Sequence, residues 1–356
     1  MSCLMVMAGG TGGHIVPALA VASILRDRGV KIIWIGNNDG LEARLVAKQN
    51  FDLEPINIKG LRKSGWQRKV MLPFALSTAI VKVVLAIFRH KPNALLGMGG
   101  FVSGPGGLAA KIMFKPLVLH EQNAVAGLTN KWLAKFTRHV LSGFPEARGI
   151  RNPVWVGNPV RKEIVNIPAP TQRLANRSGP LRVLVVGGSQ GASVFNDHLP
   201  ELLGRLKNLE LDVWHQCGDH DSDVIGRAYL EQGIGCQVNG FIEDMAEAYA
   251  WSDIVICRAG AMTVSEICAA GVLALFVPYP FAVSDHQAIN AEYMVYQRAA
   301  LMFRQPQFIS GAWLEKLTAL CADRERMLKM AETARSLAKP DAAKTVADTC
   351  QEVMHA

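Results

Sequence analysis

At 356 residues, half of them hydrophobic and 19% charged, the chain is too apolar to be disordered and long enough for two globular domains. Its seven cysteines include no CxxC pair and lie mostly in apolar runs, which excludes a disulfide framework or a zinc site and reads as buried free thiols of a reducing compartment. The net charge of +8 is unevenly divided: residues 1–160 carry 20 Lys and Arg against 7 Asp and Glu, whereas residues 161–356 carry 18 against 23. The basic half therefore suits an anionic substrate or membrane surface, and no recognition helix, zinc finger or RNA-binding aromatic pair points to nucleic acid.

In chain order, "LMVMAGGTGGHIVPALAVASIL" (residues 4–25) predicts a buried strand, a glycine turn and a helix. The first apolar run passes straight into the turn, the pattern of a cytosolic chain without a signal peptide. Gly9, Gly10, Gly12 and Gly13 let backbone N–H groups converge on an anion, and the positive end of the helix adds roughly 0.3–1 kcal/mol. Strands follow at "KIIWIG", "NALLGMG", "PLVLHE", "HVLSG" and "VWVG". The segment 61–91 is rich in Lys and Arg around Trp66, Leu72, Phe74, Leu76 and Ile80. Pro73 and Lys82 interrupt its apolar part, making it a poor membrane-spanning candidate and a better surface for anionic lipid, each basic side chain adding on the order of 1 kcal/mol. Residues 81–88 read as a core helix with a solvated rim.

The pattern then repeats. "RVLVVGGSQGASVFNDHLPELL" (182–203) is a second strand, glycine turn and helix, followed by strands at "LDVWHQCG", "CQVNGFI", "DIVIC" and "VLALFVPY". Strand alternating with helix predicts an α/β chain of two doubly wound parallel-sheet domains around a cleft, with the glycine turns at the carboxyl ends of the sheets. At a third junction, "DIVICRAGAMTVSEICAAG", Thr263 and Ser265 offer hydroxyls and Glu266, placed in the first helical turn, suits either ribose hydroxyls or a capping role. A dehydrogenase would carry an acid at the end of the second strand, where "IGNNDG" has asparagines first. "GDHDSD" (218–223) resembles metal-binding spacing but reads as a solvated turn, so no metal ligands are assigned.

"MAGGTGGHIVPALAVA", "LGMGGFVSGPGGLAA", "LHEQNAVAGLTNKWLAKF", "VWVGNPVR", "VVGGSQGA", "CRAGAMTVSEICAAG" and "PYPFAVSDHQAINA" occur in order over residues 7–291 and resemble the successive motifs of the MurG glycosyltransferase family. The resemblance implies a fold of GT-B type, with an acceptor-binding, membrane-associating domain at 1–160, a UDP-sugar domain at 161–340 and a C-terminal helix at 341–356 packing back on the first. It implies inverting transfer of N-acetylglucosamine from UDP-N-acetylglucosamine to the 4-hydroxyl of a polyprenyl-pyrophosphoryl N-acetylmuramyl-pentapeptide at the cytoplasmic face of the membrane. Cell-wall and division proteins are implied partners, with no tightly bound cofactor and a divalent cation at most an aid to turnover. A UDP-sugar epimerase and a non-enzymatic nucleotide-sugar binder are the competing readings.

By the same resemblance, Ser189 bonds the donor diphosphate, backbone near Ile242 reads the base, Arg161 stands by the nucleotide, and Ala261, Met262, Thr263, Val264, Ser265 and Glu266 supply a helix end and a ribose ligand. Gln287 recognises the sugar, while Thr11, Gly12, Gly13 and Asn123 contact it or shape the acceptor site. Gly10, Gly13, Gly104 and Gly106 hold the acceptor pyrophosphate, and Trp66, Lys69, Leu72, Phe74, Leu76 and Ile80 meet the membrane. His14 is the candidate general base, a role that typically supplies roughly 10²- to 10⁴-fold, with a phosphate ligand as its other reading; Glu121 is a second candidate, equally suited to bonding a glycine loop. Phe101 and Ala259 stand where the family commonly has tyrosine and serine.

Overall fold

The structure is a computed structural model that describes residues 2–56, 66–175, 177–188 and 191–356, with the side chains of 66–72 outside that description. The chain divides into two compact units, Met1–Arg161 with Lys339–Ala356, and Lys162–Ala338.

The first unit runs β1 (Cys3–Met7), α1 (Gly12–Asp27), β2 (Lys31–Gly36), α2 (Leu41–Lys48), β3 (Asp52–Pro55), α3 (Trp66–His90), β4 (Ala94–Gly97), α4 (Ser103–Ile112), β5 (Leu117–Glu121), α5 (Leu128–Leu133), β6 (His139–Ser142) and β7 (Val154–Trp155). Its seven strands are parallel in the order β3-β2-β1-β4-β5-β6-β7. Strand β1 shows why such a sheet needs helices on both faces: Leu4 and Val6 enter one apolar cluster, while Cys3, Met5 and Met7 enter the other.

The second unit runs α6 (Lys162–Val165), α7 (Pro170–Leu174), β8 (Leu181–Val186), α8 (Ser193–Gly204), β9 (Leu211–Gln216), α9 (Ser222–Glu231), β10 (Gly235–Asn239), α10 (Met245–Trp251), β11 (Ile254–Cys257), α11 (Ala261–Ala270), β12 (Leu273–Phe276), α12 (His286–Val295), β13 (Ala300–Met302), α13 (Gln305–Ile309), α14 (Leu314–Cys321) and α15 (Arg324–Ser336). Its parallel order is β10-β9-β8-β11-β12-β13. The final helix α16 (Ala342–His355) returns to the first unit. There Val346, Ala347, Cys350, Val353 and Met354 form one helical stripe that packs with Ile15, Ala18 and Val21 of α1, and Arg28 pairs with Asp348 at 2.7 Å.

Helix α3 continues through Pro73. By length and composition Pro73–His90 could cross a membrane, with mean hydropathy 1.4. Its stripe Ala79, Val83, Ala86 and Ile87 is buried in the sheet-facing cluster, so the helix is part of the unit's packing. The expected membrane surface needs correction at two positions. Leu76 and Ile80 pack against this cluster, whereas Phe74, Val81, Leu85 and Phe88 stand exposed on the other face. The expected core stretch 81–88 is accordingly split between the two faces. The side chains of Trp66, Lys69 and Leu72 lie outside the described residues.

Candidate functional site

In the first unit the adjacency of β1 and β4 brings two glycine turns together. Gly100 has φ +79°, and a Cβ there would overlap the Gly9 carbonyl oxygen. Gly10, at φ +91°, leaves room for the Phe101 ring, which a Cβ would approach at 3.0 Å. The Ser103 hydroxyl ties the turns, 2.9 Å from the Met7 carbonyl and 2.7 Å from that of Gly99. His14 is the third residue of α1 and lies over Gly99, where a Cβ would stand 3.0 Å from its Cε1 and Nδ1.

Two of the predicted acceptor-phosphate positions are corrected. The Gly10 N–H already donates to Glu42 Oε2 at 3.3 Å, and the other oxygen of this buried carboxylate accepts from Asn37 N at 3.1 Å. An anion at Gly10 would meet that negative charge, and a dinucleotide would have to displace it. Gly106 lies inside α4 with its N–H on the Val102 carbonyl, and its missing Cβ makes room for the Met7 side chain. Its role is helix-on-strand packing. Gly104 stays in the first turn of α4, Thr11 precedes α1 as its N-cap, and Gly12 and Gly13 are its first residues.

The loop after β5 carries the second group. Glu121 is 2% exposed and accepts four hydrogen bonds: from Asn123 N at 3.0 Å, Asn123 Nδ2 at 3.2 Å, Gly127 N at 3.1 Å and Asn130 Nδ2 at 2.9 Å. That geometry assigns it to holding the loop, and it turns the Asn123 amide donor toward the loop as well. His14 Nδ1 lies 3.0 Å from Gln122 Oε1, Gln122 Nε2 lies 3.2 Å from His120 Nδ1, and His120 Nε2 donates to the Gly157 carbonyl at 2.8 Å. Burial lowers the His120 pKa from 6.5 to about 4, so the ring is neutral. Gln122 and His120 lie in the same "LHEQN" stretch as Glu121, and no spacing in the sequence sets them apart as functional. Arg161 is the last residue of this unit's first segment.

In the second unit the amino ends of α8 and α11 border one cavity of about 520 Å³ lined by Gly188, Gly191, Ser193, Gly260, Thr263 and Gln287, among others. Two helix amino termini facing one space favour a phosphate or diphosphate. Gly191 has φ +72° and packs so closely on Cys217 that a Cβ would overlap its carbonyl oxygen. Arg258 adds a positive charge to the cavity wall. Its Nη1 donates to the carbonyls of Val277 and Pro278 at 3.0 and 3.2 Å, and Nη2 to Gln305 Oε1 at 2.9 Å, between the rings of Phe195 and Tyr279. Burial lowers its pKa from the ordinary value. Arg258 lies in the "CRAGAMTVSEICAAG" stretch, where the sequence alone gives it no distinguishing signal.

Gln287 Oε1 accepts from Tyr279 N at 2.9 Å and Ala259 N at 3.3 Å, which turns the Nε2 end away from those bonds. Beside it Ser284 and Asp285 both have positive φ, 53° and 52°, and Arg304 clamps Asp285 through two bonds of 2.7 Å. Two expectations are corrected here, the first-turn position of Glu266 and the free hydroxyl of Ser265. Glu266 lies in the second turn of α11, buried, and accepts from Tyr249 Oη at 3.2 Å, so it is no first-turn cap. The Ser265 hydroxyl folds back to the Ala261 carbonyl at 3.0 Å, and the Val264 side chain is wholly buried. The Ile242 N–H is taken by Gln216 Oε1 at 3.0 Å, while Gln216 Nε2 holds the Gly188 carbonyl at 2.7 Å. Ala261 and Met262 are buried at the helix start, and Ser189 lies outside the described residues. Asp221 of the acidic turn caps α9, accepting from Asp223 N at 2.9 Å. Among the described residues no three His, Cys, Asp or Glu side chains gather as a metal-binding group.

Comparison with known proteins matches residues 4–142 to the Glycosyltransferase family 28 N-terminal domain and residues 182–346 to the Glycosyltransferase family 28 C-terminal domain. A UDP-N-acetylglucosamine–N-acetylmuramyl-(pentapeptide) pyrophosphoryl-undecaprenol N-acetylglucosamine transferase of Marinobacter nauticus is 49% identical over 350 residues, 98% of this chain and 96% of the relative. The protein of the same name from Cupriavidus metallidurans is 48% identical over 98% of both chains. The crystal structure of Acinetobacter baumannii MurG superposes with TM-score 0.86 at 37% identity, covering 99% of this chain and 100% of that one. A UDP-GlcNAc 2-epimerase from Neisseria meningitidis reaches TM-score 0.68 at 13% identity over 99% and 100% of the two chains, a likeness of fold alone.

Proposed function

The chain belongs to glycosyltransferase family 28, in its MurG branch, and on that premise we infer that it transfers N-acetylglucosamine from UDP-N-acetylglucosamine to a lipid-linked N-acetylmuramyl-pentapeptide, making lipid II from lipid I in peptidoglycan synthesis. The single observation that carries the reading is the cavity where two helix amino ends and the anchored Arg258 offer positive potential to a diphosphate. These groups stabilise the charge that develops on UDP as it leaves, without a strong general acid. The Nε2 end of Gln287 suits sugar hydroxyls, and Glu266 with Tyr249 suits the ribose. The acceptor belongs to the basic first unit. There His14 takes the proton from the acceptor 4-hydroxyl as that oxygen attacks the anomeric carbon, with inversion. No tightly bound cofactor enters this scheme, and a divalent cation is at most an aid to the diphosphate's departure. Association with the cytoplasmic face of the membrane is peripheral, through the exposed apolar row of α3 and the lysines and arginines beside it.

The deciding measurement is UDP release from UDP-N-acetylglucosamine with and without the lipid-linked acceptor, for the unaltered chain and His14→Ala. Acceptor-dependent release, slowed roughly 10²-fold or more in His14→Ala with donor affinity unchanged, supports both the transfer and the base. Acceptor-independent release would overturn the transfer, and undiminished turnover in His14→Ala would overturn the base.

A further inference from the structure

We propose that His120 and Gln122 are positioning residues that hold His14 in the Nδ1–H tautomer, so that its Nε2 lone pair is the one presented to the acceptor. The inference rests on His14 as the base and adds what sets that base. A carbonyl oxygen only accepts, so the 2.8 Å contact to Gly157 places the single proton of neutral His120 on Nε2 and leaves Nδ1 as an acceptor. The Gln122 amide must therefore turn its NH2 toward His120. The same orientation lets Nε2 donate to the His120 carbonyl at 3.3 Å, whereas the flipped amide would face two acceptors with an oxygen. Gln122 Oε1 is then fixed toward His14 Nδ1 at 3.0 Å and can only accept from it. Burial of Gln122 and His120, 1% and 0% exposed, removes water as an alternative partner, and the Gln122 carbonyl is held by Asn158 Nδ2 at 3.0 Å.

The other tautomer would point the lone pair at Gln122 and leave Nε2 protonated, useless as a base toward the acceptor. In the step itself the acceptor oxygen bonds to the anomeric carbon, the bond from that carbon to the diphosphate breaks with its electron pair on UDP, and the hydroxyl proton goes to His14 Nε2. The Nδ1–H stays on Gln122 Oε1, whose dipole stabilises the imidazolium.

The test is the side-chain ¹⁵N spectrum of imidazole-labelled protein, assigned with His14→Gln. The expected spectrum of the unliganded native chain shows His14 protonated at Nδ1. In Gln122→Met it shifts toward the Nε2–H form that an unconstrained imidazole favours, and kcat falls roughly 10- to 10²-fold with the donor KM unchanged. An Nε2–H signal in the native chain, or an Nδ1–H signal indifferent to Gln122→Met, overturns the proposal. Turnover in His14→Ala separately judges the base, since the tautomer is read without substrate.

Discussion

Two histidines, one in each unit, are buried and neutral, and lowering the pH should destabilise both units by a calculable amount. His215 is fully buried on β9 with Nδ1 2.9 Å from Tyr229 Oη, and burial lowers its pKa to about 3; His120 stands at about 4. Both lie below the ordinary value of about 6.5 that the unfolded chain shows. As pH falls through 6.5 the unfolded state binds a proton that the folded state refuses, so stability is complete above that pH and declines below it, down to the folded pKa. At about pH 5 the unfolded side chain has gained roughly 1.5 pH units of protonation, worth about 2 kcal/mol per histidine at 1.36 kcal/mol per unit. Amide hydrogen exchange in β9 and in β5, corrected for intrinsic pH dependence, reads the two units separately. His215→Gln should cost some stability near neutrality through the altered Tyr229 bond, yet lose about 2 kcal/mol less than the native chain between about pH 7.5 and 5. Parallel pH curves for the two proteins in β9 would refute the reasoning, because the substitution removes the buried imidazole whose refusal of a proton produces the difference.

Gly191→Ala should fail at the donor site: its φ of +72° already costs an L-residue roughly 1–2 kcal/mol and the new methyl overlaps the Cys217 carbonyl, so calorimetric UDP affinity should fall at least about 10-fold. On α3 the corrected faces make opposite predictions. Phe74→Ser with Leu85→Ser should weaken binding to anionic phospholipid vesicles with little change in melting temperature, because both side chains are exposed. Leu76→Ser should lower the melting temperature, because that side chain packs against the sheet-facing cluster. Equal effects on vesicle binding from both changes would count against the face assignment.

The alternation of apolar strands with helices and the paired glycine turns were legible in the sequence because each is a local pattern of period 2, period 3.6 or backbone freedom, whereas the C-terminal helix followed from the family resemblance. The short edge strands β3 and β13 leave no such pattern: β3, "DLEP", is polar with a proline, and β13 has only three residues, so neither carries the buried apolar run that marks an interior strand. On α3, Leu76 and Phe74 look equally apolar in the sequence, and only the direction of the sheet decides that one is packed and the other exposed.

What the sequence by itself determined is which chemical groups stand at the ends of which strands: His14 after the first glycine turn, Glu121 and Gln122 after β5, Thr263 and Glu266 after β11. Only the tertiary structure decided how their hydrogen-bonding capacity is spent. It committed the Gly10 and Ile242 amides and the Ser265 hydroxyl internally, engaged Glu121 in holding a loop, and joined His14 to His120 through an amide 108 residues away from it in sequence. The physical reason is that a donor or acceptor is used up by whichever partner the packed chain brings within about 3 Å, and such partners come from neighbouring strands and loops whose separation along the chain leaves no local pattern to read.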